Sequence, residues 1–579
     1  DAIVVVENIY RRWLRAGKMS TIVAVDAVRE VGNPTILATY TVVAALVPMG
    51  FVRGMMGPYM EPIPVLGSVA MLLSLFSALI FVPWLSVRMR PPMERLKKME
   101  EREKRMDAGL DSFFHRVLCI LMTNRLMSWG FLLFLIVSFA LSMWMFYNKS
   151  VTVKMLPFDN KPTLSVMVDM PDGTALPETA NLTRSLAAEL QSIPEILSLQ
   201  SYIGNSQPFD FNGLVRHYYM RQFPWQADIA IQLLDKRDRE RSSHEIATAI
   251  RKQLAPFAST SGTTLTVVEM PPGPPVLQTV VAEIHGPDAE TRRAVASKMT
   301  QIFKSSPLVT DVDNYMRSPA TTWNFQVDIH KAARQGISVD TINQHLAMAM
   351  GEFKVIDLKQ PGVQEPTWIT LLIPLNKRSL LRQLSNLPVA TPDGRTIPLS
   401  ELGHFEEVPR EQMIFHKDLR AVEFVVGDTT GQYAAPIYAM LDIEKRLKDY
   451  TTPDGLSLQA TYMGAPESDR ISGFEWSGEW TVTFETFRDL GTAFIVALIA
   501  IYMLVVWQFG NFLIPAVIMA PIPLTLLGII PGHWLLTADF TATSMIGWIA
   551  LAGIIVRNSI LLVDFTIHQV HQGEELVEA

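Results

Sequence analysis

The chain has 579 residues, 49% of them hydrophobic and only 18% charged, with a formal net charge of −7. That length exceeds what one core can hold, and the mild acidic balance argues against a nucleic-acid partner. A single cysteine, Cys119, excludes an intrachain disulfide.

In chain order, Asp1-Ala-Ile-Val-Val-Val opens partway along an apolar run, without an initiator methionine or a signal-peptide pattern. We read the sequence as a piece of a longer protein, and residues 1–6 as the end of a membrane span. A spanning helix needs about 20 mostly apolar residues. Six further segments qualify: 33–54, 63–87, 126–147, 490–510, 511–535 and 541–566. The loop 7–32 carries Arg11, Arg12, Arg15, Lys18 and Arg29, and the loop 88–125 carries ten, including Arg88, Lys97, Lys98, Lys104 and Arg105, whereas the loop 55–62 carries no lysine or arginine. The two basic loops are two spans apart, so both are assigned to the cytoplasm. Residues 92–118 alternate Glu and Lys with an apolar stripe of Leu96, Met99, Met106 and Leu110. That pattern reads as an amphipathic helix on the inner membrane surface, with a solvated linker helix as the alternative.

By the same parity, 148–489 lies outside the cytoplasm. Thr163–Met170, Leu197–Tyr202, Ala227–Leu234, Thr264–Val268, Val280–His285 and Leu308–Val312 read as strands. Helices are expected between them at Pro177–Ile193, Ser243–Leu254 and Ala289–Phe303. Repeated β-α-β units of this length point to ferredoxin-like α+β subdomains. Residues 325–420 are more irregular, with a turn at Asp393-Gly394 and a helix that Ser338 can cap. A helix at 433–448 and a strand at 456–462 follow. Ser468–Asp489 is expected to be a helix running straight into the span at 490. The histidines His217, His285, His330, His345, His404 and His416 are scattered without metal-ligand spacing. The sequence shows neither a nucleophile elbow nor a phosphate loop, so no enzyme, cofactor or metal site is expected.

A repeat locates the chemistry. Asp1-Ala-Ile-Val-Val-Val-Glu7-Asn8 lines up with Asn558-Ser-Ile-Leu-Leu-Val-Asp564-Phe565, each placing an acid six residues after its first position. Duplicated membrane domains are common in transporters. Arg557 follows the uncharged run Thr541–Val556, and a charge inside a span is costly and usually functional. Packing of the two equivalent helices at a pseudo-symmetry axis would pair Asp1 with Arg557. The alternatives are a snorkelling Arg557 near a helix end and an Asp1 that merely sits at a cut terminus.

These residues resemble the resistance-nodulation-division (RND) efflux permeases. Asp1–Asn8 is similar to that family's span-four motif, and Arg557-Asn558-Ser559-Ile560 to its span-ten cation and the residues after it. Val153-Lys154-Met155-Leu156-Pro157 looks like the entry to its second periplasmic loop. The resemblance implies a polytopic α-helical membrane protein with a large α+β periplasmic region. The chain would run from the end of span four through span ten. Residues 1–147 would hold the first membrane helices, 148–324 porter subdomains, 325–420 a docking insert, 421–489 the return to a porter subdomain, and 490–579 spans eight to ten. It implies a proton antiporter in the bacterial inner membrane, a homotrimer working with a periplasmic adaptor and an outer-membrane channel. The substrates would be drugs or other amphiphilic small molecules. Asp1 and Arg557 would form the proton relay. Phe209 and Phe211, in Pro208–Gly213, would sit on the family's switch loop and line the substrate pathway, or else be packed core aromatics. The family's usual cation is lysine; arginine effectively never loses its charge, which leaves the acid as the titrating group.

Two other readings stand beside this one. A metal-cation exporter of the same superfamily would use soft thioethers, but Met167, Met220, Met270, Met348 and Met350 mostly fall in apolar periodic runs that packing explains. A non-exporting translocation accessory would lack a docking insert.

Overall fold

The computed structural model describes residues 2–157, 159–209, 211–270, 273–316, 320–431, 433–571 and 573. The chain divides into two compact units. One holds Asp1–Met170, Leu176–Tyr315 and Phe415–Ala579; the other holds Met316–Ile414 with Pro171–Ala175.

The larger unit begins with α1 (Ala2–Ala16), whose buried Val5, Ile9 and Trp13 recur every fourth residue. This stripe packs on α2 (Thr21–Leu46) at Ala24 and Ala27. Ser20 caps α2 by accepting from the Ile22 amide, and Trp13 Nε1 donates to the Ser20 carbonyl at 3.0 Å. Next come α3 (Pro62–Phe76), which runs on through a π-turn at Ser77–Phe81 to Arg88, then α4 (Met93–Thr123) and α5 (Arg125–Tyr147). On α4, Leu96 is buried against α1 while Met99 is exposed; the side chains of Met106 and Leu110 lie outside the described residues. Leu126, Trp129 and Phe134 stand exposed on α5. Apolar surface of that extent marks a contact with something other than water.

The sheet-forming part of the larger unit is built on one topology used twice. The strands β1 (Thr163–Asp169), β2 (Ile196–Ile203), β3 (Gln226–Leu233) and β4 (Thr264–Glu269) form an antiparallel sheet in the order β2-β3-β1-β4. The helices α6 (Leu176–Leu190) and α7 (Ser243–Ser261) cross over between them, with a Ser242–Glu245 capping box starting α7. Period-2 alternation sends Leu164, Val166, Val168, Ile229 and Ile231 to the helix face, where Leu186, Leu190, Ile246 and Ile250 meet them. Each such burial contributes roughly 1.5–3 kcal/mol.

The second sheet repeats the order. β5 (Val280–His285), α8 (Ala289–Ser305) and β6 (Val309–Asn314) lead into the smaller unit. That unit contains β7 (Thr321–Val327), α9 (Val339–Met350) capped by Ser338, the paired strands β8 (Phe353–Leu358) and β9 (Thr367–Leu371), the hairpin β10 (Pro388–Ala390) and β11 (Thr396–Pro398), and β12 (Gly403–Pro409). Its own core gathers Ala332, Ile337, Ile342, Val389, Leu399 and Leu402. Back in the larger unit come β13 (Phe415–Lys417), β14 (Arg420–Thr429), α10 (Pro436–Leu447), β15 (Gln459–Thr461) and β16 (Gly473–Ser477). β14 lies between β6 and β5, and β16 on the far side of β5, all antiparallel. The core order β6-β14-β5-β16 therefore matches β2-β3-β1-β4. β13 and β15 are additions, and β15 is the parallel partner of β16.

The expected helix over Ser468–Asp489 holds only from Glu479, where it runs on unbroken past residue 490; the stretch before it is not helical. Gly473–Ser477 is a buried strand whose Phe474 and Trp476 face α8 and α10 while Glu475 and Ser477 face away. Gly478, at φ +80°, then turns the chain into α11 (Glu479–Phe509). The alternation of aromatic with polar residues was the strand signal, and the long helix behind it masked it. After α11 come α12 (Leu513–Met519), Leu526–Leu535 and α13 (Ala542–His571). Among the described residues, six helical stretches are long and apolar enough to cross a membrane: Thr21–Phe51, Gly54–Arg88, Arg125–Tyr147, Glu479–Phe509, Leu513–Leu535 and Ala542–His571.

Candidate functional site

Arg557 sits on α13, half-buried, among Ala552, Val556 and Ile560, which are fully buried against α2 and α11. The α2–α13 contact is close because of Gly553: a Cβ there would stand 3.1 Å from both Ala45 Cβ and Val42 Cα. Small residues permit such approaches between apolar helices. α2 faces this seam with Thr39 and Thr41, both fully buried, their hydroxyls donating to the Thr35 and Ala38 carbonyls. α1 also packs on α2, where Asn8 donates to the Ala27 carbonyl at 2.9 Å and Arg12 pairs with Glu30 at 2.8 Å. Thus α2 contacts both repeat-related helices. Asp1 lies outside the described residues. Of the other repeat acids, Glu7 is exposed and Asp564 half-buried.

The second region is the connection 204–225 between β2 and β3. Gly204, at φ +69°, starts it, packed so closely on Leu176 that a Cβ would stand 2.7 Å away. Gln207 donates its amide to Asp228 at 2.9 Å, and Arg221 forks onto Asp228 and Asp169 at 2.8 Å each. Phe209 is 46% exposed and rests against the Tyr219 ring at 5.9 Å. Phe211 starts a short helix, Phe211–Val215, and its side chain lies outside the described residues. Two cavities flank the loop. One, of about 250 Å³, is lined by Phe209, Tyr218, Leu164, Ile231 and Met270. The other, of about 550 Å³, lies against the helix-free face of the second sheet, lined by His217, Tyr219, Met220, Phe415, Phe424 and Lys417.

Charges tie the sheets together. Arg251 of α7 reaches Glu269 in β4 at 3.2 Å and Asp311 in β6 at 2.8 Å. Asp311 holds a left-handed φ of 51°, and burial pushes its carboxyl up to about 6. Asp313 is raised to about 6 by the same cause. Arg216 lies 3.7 Å from Asp428 of β14. Burial also raises the Asp228 carboxyl, with Arg221 opposing. Below the sheets, Lys154 pairs with Asp539 at 3.1 Å and Val153 bridges Phe540, just ahead of α13. Sequence inspection gave no sign of these pairs, because partners such as Arg221 and Asp169 meet only once β1 and β3 pair.

The whole chain, residues 1–579, matches the AcrB/AcrD/AcrF family. The chain belongs to that family, and the RND resemblance is thereby shown. It is 20% identical to the swarming motility protein SwrC of Bacillus subtilis (strain 168) over 594 residues, covering 100% of this chain and 52% of that protein. It is 23% identical to the multidrug resistance protein MdtC of Escherichia coli O81 (strain ED1a) over 582 residues, covering 99% and 52%. Its fold resembles the crystal structure of a heavy metal efflux pump with a TM-score of 0.74 at 18% identity, covering 97% of this chain and 52% of that one. The chain spans about half the length of these relatives.

Proposed function

We propose that this chain is part of a proton-driven efflux permease of the bacterial inner membrane that exports drugs or amphiphilic small molecules. Its two sheets are read as ferredoxin-like porter subdomains in the periplasm, and the smaller unit as a docking insert. It would act as a homotrimer with a periplasmic adaptor and an outer-membrane channel. The observation that carries the reading is the pair of cavities flanking the Phe209 loop. The larger, about 550 Å³, has the size of a small-molecule site and a wall that joins the aromatic rings of Tyr219, Phe415 and Phe424 to polar groups able to orient a ligand. One methionine lines each cavity among the described residues, Met270 and Met220. A cluster of thioethers suited to a soft metal is therefore not assembled there, which weighs against export of a soft cation such as Cu(I).

Arg557 acts in this scheme as a fixed counter-charge, because arginine keeps its proton. Protonation of Asp1 from the outer side releases Arg557 to another acceptor and shifts α13 on α2. The membrane potential supplies about 2.3 kcal/mol per charge per 100 mV. The shift reaches the sheets through α11, continuous from Glu479 behind β16, and through the Lys154–Asp539 pair before α13. The test is drug accumulation in a pump-deficient strain carrying the full-length gene. Asp1→Asn is expected to abolish export while leaving membrane assembly intact. Normal export by that variant overturns the scheme. A panel of drugs, detergents and metals separates the amphiphile reading from the metal one.

A further inference from the structure

On the helix-free face of the second sheet, Glu283 of β5 stands directly opposite Glu475 of β16. His285, two residues along β5, shares that face. All three are buried, at 1%, 6% and 1% exposure for Glu283, Glu475 and His285. One ligand atom of each lies within 4.8 Å of the other two. Like charges directly opposite on a sheet repel, and burial sharpens the repulsion. Lys417 answers only part of it: its ammonium lies 2.6 Å from Glu283 and 3.6 Å from Glu475, one positive charge against two carboxylates.

The independent observation is His285. Both its ring nitrogens are buried, and among the described residues neither has a hydrogen-bond partner. The Asp469 carboxylate, 3.7 Å from Nδ1, is beyond hydrogen-bond reach and is held by Arg420 Nε at 3.0 Å. An imidazole left without partners costs stability unless it serves as a ligand.

We propose that Glu283, His285 and Glu475 form a divalent-cation site of the zinc class. One imidazole and two carboxylates suit Zn²⁺ or Mn²⁺ rather than Cu(I), which prefers sulfur. A dication neutralises both carboxylates and gives His285 its partner. Glu475 is already oriented, its Oε1 accepting the Gly464 amide at 2.9 Å, the kind of outer contact that fixes a ligating carboxylate. Lys417 occupies the entry. It lies on the wall of the 550 Å³ cavity, at a hairpin tip where Asp418 and Leu419 both take left-handed φ. Release of its ammonium into the cavity opens the site to an incoming ion and leaves a fourth coordination position for water.

The site does not depend on the export reading, and its test measures binding alone. Full-length protein in detergent, stripped with a chelator, is titrated with Zn²⁺ by calorimetry. Thermal unfolding in chelator checks that each variant is folded. Glu475→Gln and His285→Gln are each expected to weaken one Zn²⁺ equivalent by at least about tenfold, and Lys417→Met to tighten the same equivalent by removing its competitor. The gain in Lys417→Met is an outcome that a folding defect cannot produce. Zn²⁺ binding that is the same in wild type and all three variants overturns the proposal.

Discussion

The two sheets share an order of strands and differ in what their helix-free faces do. On the first, Asp169 and Asp228 also share one cation, but Arg221 reaches both at 2.8 Å, the Gln207 amide and the Gln226 side chain donate to them as well, and the loop 204–225 folds over them. On the second, Glu283, Glu475 and His285 outnumber the cation that reaches them, and a 550 Å³ cavity stays open. The connection between second and third strands differs correspondingly: a single loop in the first, the whole of Met316–Ile414 in the second. One topology thus yields a face closed by its own charges and a face left ready for something else.

The largest test of that contrast is Arg221→Ala. It strands Asp228, which has no solvent exposure, and is expected to cost about 3–5 kcal/mol in denaturant unfolding. A loss well under 1 kcal/mol would mean that the first face is not held by charge. The joint between the sheets comes next. Burial raises the Asp311 carboxyl from 3.8 to about 6, so the folded state binds its proton more tightly than the unfolded one. Its contribution is fully present below pH 3.8 and lost as pH rises through about 6. Asp311→Asn should flatten that part of a melting-temperature profile between pH 4 and 7; an unchanged slope would assign the pH dependence elsewhere. At the end of the second sheet, Gly478→Ala forces a Cβ to 2.4 Å from the Gln278 carbonyl at φ +80°. A cost of about 1–3 kcal/mol is expected, with the thermal midpoint as readout; a neutral result would show that the strand-to-helix junction yields. The smallest stability effect is that of Phe209→Ala, within about 0.5 kcal/mol because the ring is half exposed. The same variant is expected to change the drug-resistance profile several-fold, and an unaltered profile would remove Phe209 from the pathway.

Much of this architecture could be read from residue order. Val280–His285 is a strand with the bounds that alternation predicts, and Ser338 caps its helix by accepting from Thr341 at 3.1 Å. The six apolar stretches reappear as helices because length and hydropathy decide them locally. Gly473–Ser477 escaped because five residues of alternation were outweighed by the helical run beginning at Glu479. The Glu283–His285–Glu475 group escaped for a different reason. Only the i, i+2 pair Glu283 and His285 was visible as a shared strand face; Glu475 joins them through a register that forms when β16 docks on β5. Of the proposed coupling residues, the cost of a charge within an apolar run singles out Arg557 as a candidate, whereas the close α2–α13 seam depends on Gly553 meeting α2, which no local pattern announces.

The antiparallel pairing of β7 with β12 has a consequence for how the second sheet forms. Thr321 lies opposite Pro409, and the Arg410 amide donates to the Ala320 carbonyl at 2.9 Å, so the inserted unit is zipped shut at its neck. An unstructured insert would make β6 and β14 find each other across a long floppy chain, with a closure entropy that grows by about 0.6 kcal/mol for each doubling of length. A neck held by its own ladder replaces that long chain with a short tether. Kinetically, the insert can fold first and deliver the two strands already near each other, so a connection of residues 316–414 behaves toward its host sheet like a hairpin turn.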